Sequence, residues 1–168
     1  MSQVHEDTDF AALASSVDAA REVAKGLVFF NFAETPWFPL HMEPDGGGEF
    51  PDVIVENVDL VKYYEGMELQ ALDFGAFNIL NVRIPPGFKV PRHHHNIDQL
   101  VFVLEGSSVQ GNKSMGRGEG YFTRAGNPYS ITAGPEGLTW MEIRSQTLTD
   151  LTTTWVDLDP AHWVHATY

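Results

Sequence analysis

After residue 26 the chain repeats one arrangement, in which a short apolar or alternating run is followed by a turn rich in glycine and proline. Short runs bounded in this way favour β-strands. The predicted strands cover residues 27–32, 53–58, 77–84, 99–104, 120–123, 130–132, 139–143 and 152–157, and the Gly-Pro-Glu-Gly sequence at 134–137 predicts a turn. Many short strands joined by such turns predict an all-β sandwich or barrel.

The first 26 residues have a different pattern. Phe10, Leu13, Ala14 and Val17 recur at the spacing of one helix face, and Gly26 can end a helix. We therefore divide the chain into an N-terminal helical arm, residues 1–26, and one domain, residues 27–168. The total of 168 residues suits a single ordinary domain.

Composition excludes several functions. The chain has no cysteine, which rules out disulfides, thiolate metal sites, cysteine nucleophiles and iron–sulfur clusters. Its formal net charge of −13 repels phosphate backbones and anionic membrane surfaces, so we expect neither nucleic-acid nor membrane binding. The start of the chain lacks the pattern of a signal peptide, and no apolar run is long enough to span a membrane, so we expect a cytoplasmic protein.

Three consecutive histidines are the strongest chemical signal. In a strand, side chains alternate between faces, so His93 and His95 share one face and His94 lies on the other. Two imidazoles spaced in this way can chelate one metal ion, and Gln99 offers an oxygen donor close behind them. The residues alone leave a second interpretation open, a histidine cluster at the surface.

The spacing around these histidines resembles a known motif. Gly87, five residues, His93-x-His95, three residues, Gln99, six residues and Gly106 are similar to the first conserved motif of the cupin superfamily. That motif normally has glutamate where this chain has Gln99.

A second stretch, residues 118–129, resembles the second cupin motif with departures. Arg124 occupies the usual proline position, Gly126 matches, and Tyr129 stands where the third metal-binding histidine normally lies. The segments at 37–40 and 83–88 resemble small cupins near the anti-sigma-factor and acetylacetone-cleaving groups.

This resemblance implies a fold and a set of site residues. The fold would be a double-stranded β-helix, or jelly-roll, cupin barrel preceded by the N-terminal helix, and the protein a homodimer. His93 and His95 would be metal ligands, with Gln99 as a further ligand. For Tyr129 two interpretations stay open: a residue of the reactive site that acts through its hydroxyl, or an aromatic side chain that fills the barrel.

Replacing glutamate by glutamine has a chemical consequence. His93, His95 and Gln99 are all neutral, so a divalent ion held by them keeps more of its charge and acts as a stronger Lewis acid. The missing carboxylate also weakens ion binding. Such donors suit Fe(II), which we favour, as well as Mn(II), Ni(II) or Zn(II).

Other residues are weaker candidates. His41 lies in a segment that could reach the barrel mouth and act as ligand or base. Arg124 could hold a substrate carboxylate or pair with an acidic residue at the surface. Phe102 and Trp140 could line a pocket for an apolar or aromatic substrate, although core packing explains them equally well. For His162 and His165 we favour surface positions or dimer contacts.

Three hypotheses for function follow. The first is a metal-dependent dioxygenase that cleaves a carbon–carbon bond of a diketone or aromatic ketone chelated to the ion. The second is a lyase, isomerase or cyclase that uses the ion as a Lewis acid without O₂, with Tyr129 or a histidine moving the proton. The third is a non-catalytic ligand-binding or sensor module.

Overall fold

The computed structural model describes residues 26–40, 48–49, 56–145 and 151–168. The described strands are β1 (Phe38–Pro39), β2 (Gly48–Glu49), β3 (Glu68–Asp73), β4 (Asn78–Ile84), β5 (Lys89–His95), β6 (Gln99–Gln110), β7 (Lys113–Gly116), β8 (Gly120–Thr123), β9 (Tyr129–Arg144) and β10 (Thr153–Trp155). One short helix, α1 (Leu60–Tyr63), begins after the N-cap residue Asp59, and a 3₁₀ turn covers Pro160–His162.

All ten strands belong to one curled sheet, with the order β1-β3-β4-β9-β5-β10-β2, and β6 pairs with β7, β8 and β9. The long strands β6 and β9 run antiparallel, and β9 changes its other partner from β5 to β4 along its length. The core faces of the strands carry the buried apolar side chains, among them Val82, Val101, Ile131 and Trp140. The all-β jelly-roll prediction is confirmed.

Most predicted strands match observed ones. The runs at 77–84, 99–104, 120–123 and 152–157 correspond to β4, β6, β8 and β10, and the runs at 130–132 and 139–143 are the two ends of β9. The helical arm before residue 26 and residues 53–55 of the run at 53–58 lie outside the described residues. The other half of that run, residues 56–58, contains no strand, so the prediction is wrong there.

The prediction of a strand at residues 27–32 is wrong. This segment contains no strand residues, and its Phe29 side chain is 88% exposed. The buried amide of Gln70 explains the difference, because its Nε2 donates hydrogen bonds to the carbonyls of Phe32 (2.8 Å) and Thr35 (2.6 Å). A side chain of β3 therefore anchors the end of this segment as a loop.

The predicted turn at 134–137 is instead an irregular insertion within β9. Gly106 of β6 pairs with Leu138, whereas Ser108, only two residues later, pairs with Ala133. The extra residues bend the strand and switch which residues face the core. Odd-numbered positions are buried before the insertion and even-numbered positions after it, as Tyr129 and Trp140 illustrate.

The C-terminal segment closes one end of the barrel. Ala166 N donates to Gly87 O at 2.8 Å, and Tyr168 OH donates to Ala133 O at 2.8 Å. Gly87 has a φ of +72°, and a Cβ atom there would lie 1.9 Å from the Ala166 carbonyl oxygen. Glycine is therefore required at this point for two reasons, the backbone conformation and the close approach of the C-terminal segment.

Where the chain is described, the structure contains no helix with the length and apolar character that crossing a bilayer requires.

Candidate metal centre

Two histidines of β5 face the buried interior. His93 and His95 are both buried, and their ring centroids lie 5.0 Å apart. Between them His94 takes the alternate orientation along the strand. The neighbouring strands place Tyr129 of β9 and Trp155 of β10 directly opposite His93. The period of two therefore brings the two imidazoles together, as the sequence predicts.

The two imidazole rings are oriented through their Nδ1 atoms. His93 Nδ1 lies 2.7 Å from the Pro91 carbonyl oxygen, to which it can only donate. His95 Nδ1 lies 3.0 Å from the Thr153 hydroxyl of β10. The carbonyl contact fixes the tautomer of His93, and the hydroxyl contact orients the His95 ring. They leave Nε2 of each ring as the nitrogen that can ligate an ion.

Burial keeps both imidazoles neutral. Burial lowers the pKa of His93 to about 4. It also lowers the pKa of His95 to about 2, with a further contribution from the positive charge of Arg144. Because neutral imidazole is the form that binds metals, both rings are ready to ligate at neutral pH.

Gln99 and Tyr129 meet inside the barrel although 30 residues separate them. The Gln99 side-chain amide donates a hydrogen bond to the Tyr129 hydroxyl. This contact orients the amide so that its Oε1 atom is buried without a hydrogen-bond partner among the described residues. The Tyr129 ring centroid lies 4.5 Å from that of His93. Burial, and then the negative charge of Glu142, raises the pKa of Tyr129, so its phenol is protonated.

A buried ion pair of Glu142 and Arg144 lies in the same cluster, and the sequence analysis missed it. Both residues are at core-facing positions of β9, and Arg144 donates to a Glu142 carboxylate oxygen. The other carboxylate oxygen accepts a 2.6 Å hydrogen bond from Trp140 Nε1. A signal existed in the sequence, since Glu142 and Arg144 continue the alternation of Leu138 and Trp140 into the core.

These residues fit a divalent ion. Burying an amide oxygen without a partner is costly, and a cation beside Gln99 Oε1 would satisfy it. Gln99 Oε1 and the Nε2 atoms of His93 and His95 together supply three neutral donors. Within the described part of the chain no group of three or more histidine, aspartate and glutamate side chains is placed to hold a metal ion, so a site here depends on Gln99 or Tyr129.

Of the remaining candidates that the structure describes, Trp140 lies in this cluster, whereas Phe102 and Arg124 do not. Trp140 is inside the barrel and donates to Glu142, whereas Phe102 is on the outer face of the sheet with 37% of its surface exposed. Arg124 is exposed at the turn after β8. His41 lies outside the described residues.

His162 is exposed and contacts Asp157 at 2.8 Å, in agreement with a surface position. His165 is half-buried, so the same prediction holds for it only in part. Its ring stacks on Tyr63 with centroids 4.3 Å apart, and it hydrogen-bonds the backbone of Lys89 and Tyr63. The C-terminal segment folds back over α1 and partly covers this ring, which the local sequence does not indicate.

Comparison with known proteins identifies the fold. No family model and no curated protein matches the sequence. Among solved structures, the chain is similar to an RmlC-like cupin from Ralstonia eutropha, with a TM-score of 0.54, 14% identity, and coverage of 74% of this chain and 73% of that one. It is also similar to an RmlC-like cupin from Shewanella frigidimarina, with a TM-score of 0.52, 18% identity, and coverage of 74% and 95%.

A variant of the oxalate decarboxylase from Bacillus subtilis matches with a TM-score of 0.50 and 16% identity, over 70% of this chain and 29% of that one. The chain thus spans less than a third of the length of the oxalate decarboxylase that it matches. At these identities the likeness concerns the fold.

Proposed function

Because this chain has the cupin fold, we propose that it is a metal-dependent enzyme that binds one divalent ion through His93, His95 and Gln99. The observation that carries the proposal is the buried Gln99 Oε1 atom, which has no hydrogen-bond partner among the described residues. Its amide is bonded to Tyr129, whose ring centroid lies 4.5 Å and 6.1 Å from those of the neutral imidazoles of His93 and His95. When bound, such an ion supplies Lewis acidity toward an oxygen of the substrate. Fe(II) and Mn(II) are the first ions to test.

Tyr129 is the proton-transfer group of the proposed reaction. Its oxygen accepts a hydrogen bond from Gln99, and its raised pKa keeps the hydroxyl protonated. A protonated phenol in a buried site can donate to a substrate oxygen on which negative charge develops. Gln99 would then act twice, with Oε1 toward the ion and Nε2 toward Tyr129. This arrangement supports proton-transfer chemistry of the lyase or isomerase type.

A dioxygenase that cleaves a carbon–carbon bond is the second candidate. Three protein donors leave room for substrate and O₂ at one ion, and the rings of Tyr129 and Trp155, 4.5 Å and 5.1 Å from the His93 ring, help to exclude water. The two candidates differ in their need for oxygen.

One experiment separates them. Protein loaded with Fe(II) or Mn(II) is mixed with 2,4-pentanedione or acetoacetate in D₂O, and oxygen uptake is followed together with deuterium incorporation into the ligand. Deuterium incorporation above that of a His93→Ala control, without oxygen uptake, supports the Lewis-acid reaction. Oxygen uptake that matches loss of the ligand supports the dioxygenase. Neither signal in protein that retains its ion would contradict both reactions for these ligands and favour a binding module.

Tyr129→Phe tests the role of the hydroxyl, because it keeps the ring and removes the oxygen. We expect unchanged ion content and a thermal midpoint within a few degrees, with turnover reduced by roughly 10²-fold or more. Full turnover with intact ion content would make Tyr129 a packing residue.

A further inference from the structure

Arg144 is a buried cation with an unused donor. The residue is 6% exposed and lies beside Gln99 in the β6–β9 pairing. One of its terminal amino groups donates to Glu142, but its Nε atom has no hydrogen-bond partner among the described residues. A guanidinium can bind a carboxylate through two parallel N–H groups, so Arg144 has capacity for one more anionic oxygen.

Glu142 does not use this capacity. Both of its carboxylate oxygens already accept hydrogen bonds, one from Trp140 and one from Arg144. The hydrogen bond from Trp140 holds the Glu142 carboxylate against β9, the strand that carries both residues. The pair is therefore neutral overall, and Arg144 is the partner with a buried hydrogen-bonding atom, Nε, that no described residue engages.

The charges of the whole cluster point to the kind of ligand. The proposed ion ligands His93, His95 and Gln99 are neutral, and the charges of Glu142 and Arg144 cancel. A divalent ion in this site would therefore retain a charge of +2 that no described side chain of the cluster balances. Buried charge is costly unless it is compensated, so the ligand itself must supply negative charge.

We propose that the substrate of this site is a small oxygen-chelating carboxylate, and that Arg144 is the residue that recognises its carboxylate group. This inference rests on the proposed function and names its substrate class. It replaces the apolar or aromatic ligand that the sequence predicts. Gln99, Glu142 and Arg144 are all buried in this cluster, and the charge of Arg144 acts on both imidazoles.

Three nearly isosteric ligands test the proposal: 2,4-pentanedione, acetoacetate and malonate, which carry no, one and two carboxylates. Their affinities for the Mn(II)-loaded protein are measured by calorimetry at fixed pH and salt. We expect affinity to rise at each step by roughly tenfold or more, as charge-assisted hydrogen bonds replace neutral ones. Equal affinities for all three ligands, or tightest binding of 2,4-pentanedione, would overturn the proposal.

Two variants with opposite expected effects identify the arginine. Arg144→Gln should weaken malonate binding by roughly 30-fold or more and reduce the differences in affinity among the three ligands. Glu142→Gln removes the competing negative charge and should tighten malonate binding. A purely structural role of the pair predicts weaker binding in both variants, and that result would overturn the proposal. If Arg144→Gln does not fold, Arg144→Lys replaces it, because lysine keeps the charge but lacks Nε and the planar guanidinium. This variant should reduce the difference in affinity between acetoacetate and malonate.

The metal content of each sample separates this inference from the proposed function. A chain that takes up no Mn(II) contradicts the proposed function, and the malonate titration is then repeated on the metal-free protein. Malonate binding that Arg144→Gln abolishes would still support the arginine as a carboxylate site. Ion uptake together with malonate binding that does not respond to Arg144 would leave the metal site standing and overturn the substrate class.

Discussion

Two regions of the molecule pack imidazole rings against other residues: His93 and His95 are buried, and His165 is half-buried. His165, in the C-terminal segment, has both nitrogens engaged by backbone groups: Nδ1 accepts from Lys89 N at 3.0 Å, and Nε2 lies 2.9 Å from the Tyr63 carbonyl oxygen. His93 and His95 are held through Nδ1, by the Pro91 carbonyl and the Thr153 hydroxyl. A histidine whose two nitrogens are both hydrogen-bonded is a packing element, whereas one held by a single nitrogen can still ligate an ion.

The largest difference between the regions should appear in metal binding. His93→Ala removes a proposed ligand, so ion affinity in a chelator competition should fall by more than the roughly 10–100-fold that loss of an outer contact costs. His165→Phe, which keeps an aromatic ring over Tyr63, should retain the ion.

His94→Ala is the control within β5 and should also retain the ion. Equal loss of the ion from the His94 and His93 variants would contradict the proposed strand register of the site.

Acid should destabilise the metal-free protein through the region that contains His93 and His95. The folded-state pKa of His93, about 4, lies below its ordinary value of 6.5, so between these pH values the unfolded chain binds the proton more readily. The stabilisation is complete above pH 6.5 and is lost as the pH falls toward 4, by about 3 kcal/mol for His93. Denaturant unfolding from pH 7.5 to 4.5 measures it. His93→Gln should reduce this slope, and an unchanged slope would assign the acid sensitivity to other groups.

Removing the His165 imidazole should destabilise the fold and leave ion binding unchanged. His165→Ala leaves two backbone groups without their partner and removes a ring stacked on Tyr63 and Phe88, so we expect a loss of about 2–3 kcal/mol in the free energy of unfolding. His162→Ala, at an exposed ion pair with Asp157, should change it by less than about 1 kcal/mol. Similar losses in both variants would show that the hydrogen bonds and ring contacts of His165 contribute nothing.

The contact of Thr153 with His95 offers a smaller and more specific test. Thr153→Val removes the hydroxyl from Nδ1 and should lower ion affinity by roughly 10–100-fold, while Thr153→Ser should restore it. Thr154→Val is the matched control, because the adjacent side chain is exposed on the other face of β10. A loss of affinity in both valine variants would indicate a general disturbance of the strand.

The smallest expected effect concerns Gln99. Gln99→Glu adds a negative charge beside the ion and should strengthen ion retention, by roughly tenfold, while it weakens the Lewis acidity. Chelator competition measures the affinity. Unchanged affinity would place Gln99 outside the ligand shell.

The sequence alone determined the features that depend on neighbouring residues. The alternation of a strand places His93 and His95 on one face, and the glycine and proline turns give an all-β chain, as the structure confirms. The predicted strand at 27–32 is not formed, because Gln70, far along the chain, donates hydrogen bonds to backbone carbonyls at the end of that segment. The local pattern of hydrophobic residues does not predict this long-range contact.

Only the tertiary structure decided how the site is completed. Gln99 meets Tyr129 across the barrel, Thr153 reaches His95 from the last strand, and Arg144 lies beside Gln99 through the β6–β9 register. The insertion at 134–137 sets that register and switches the buried face of β9, which sends Glu142 and Arg144 inward. Such contacts depend on the pairing of distant strands, and a slip of one residue would turn these side chains to the other face.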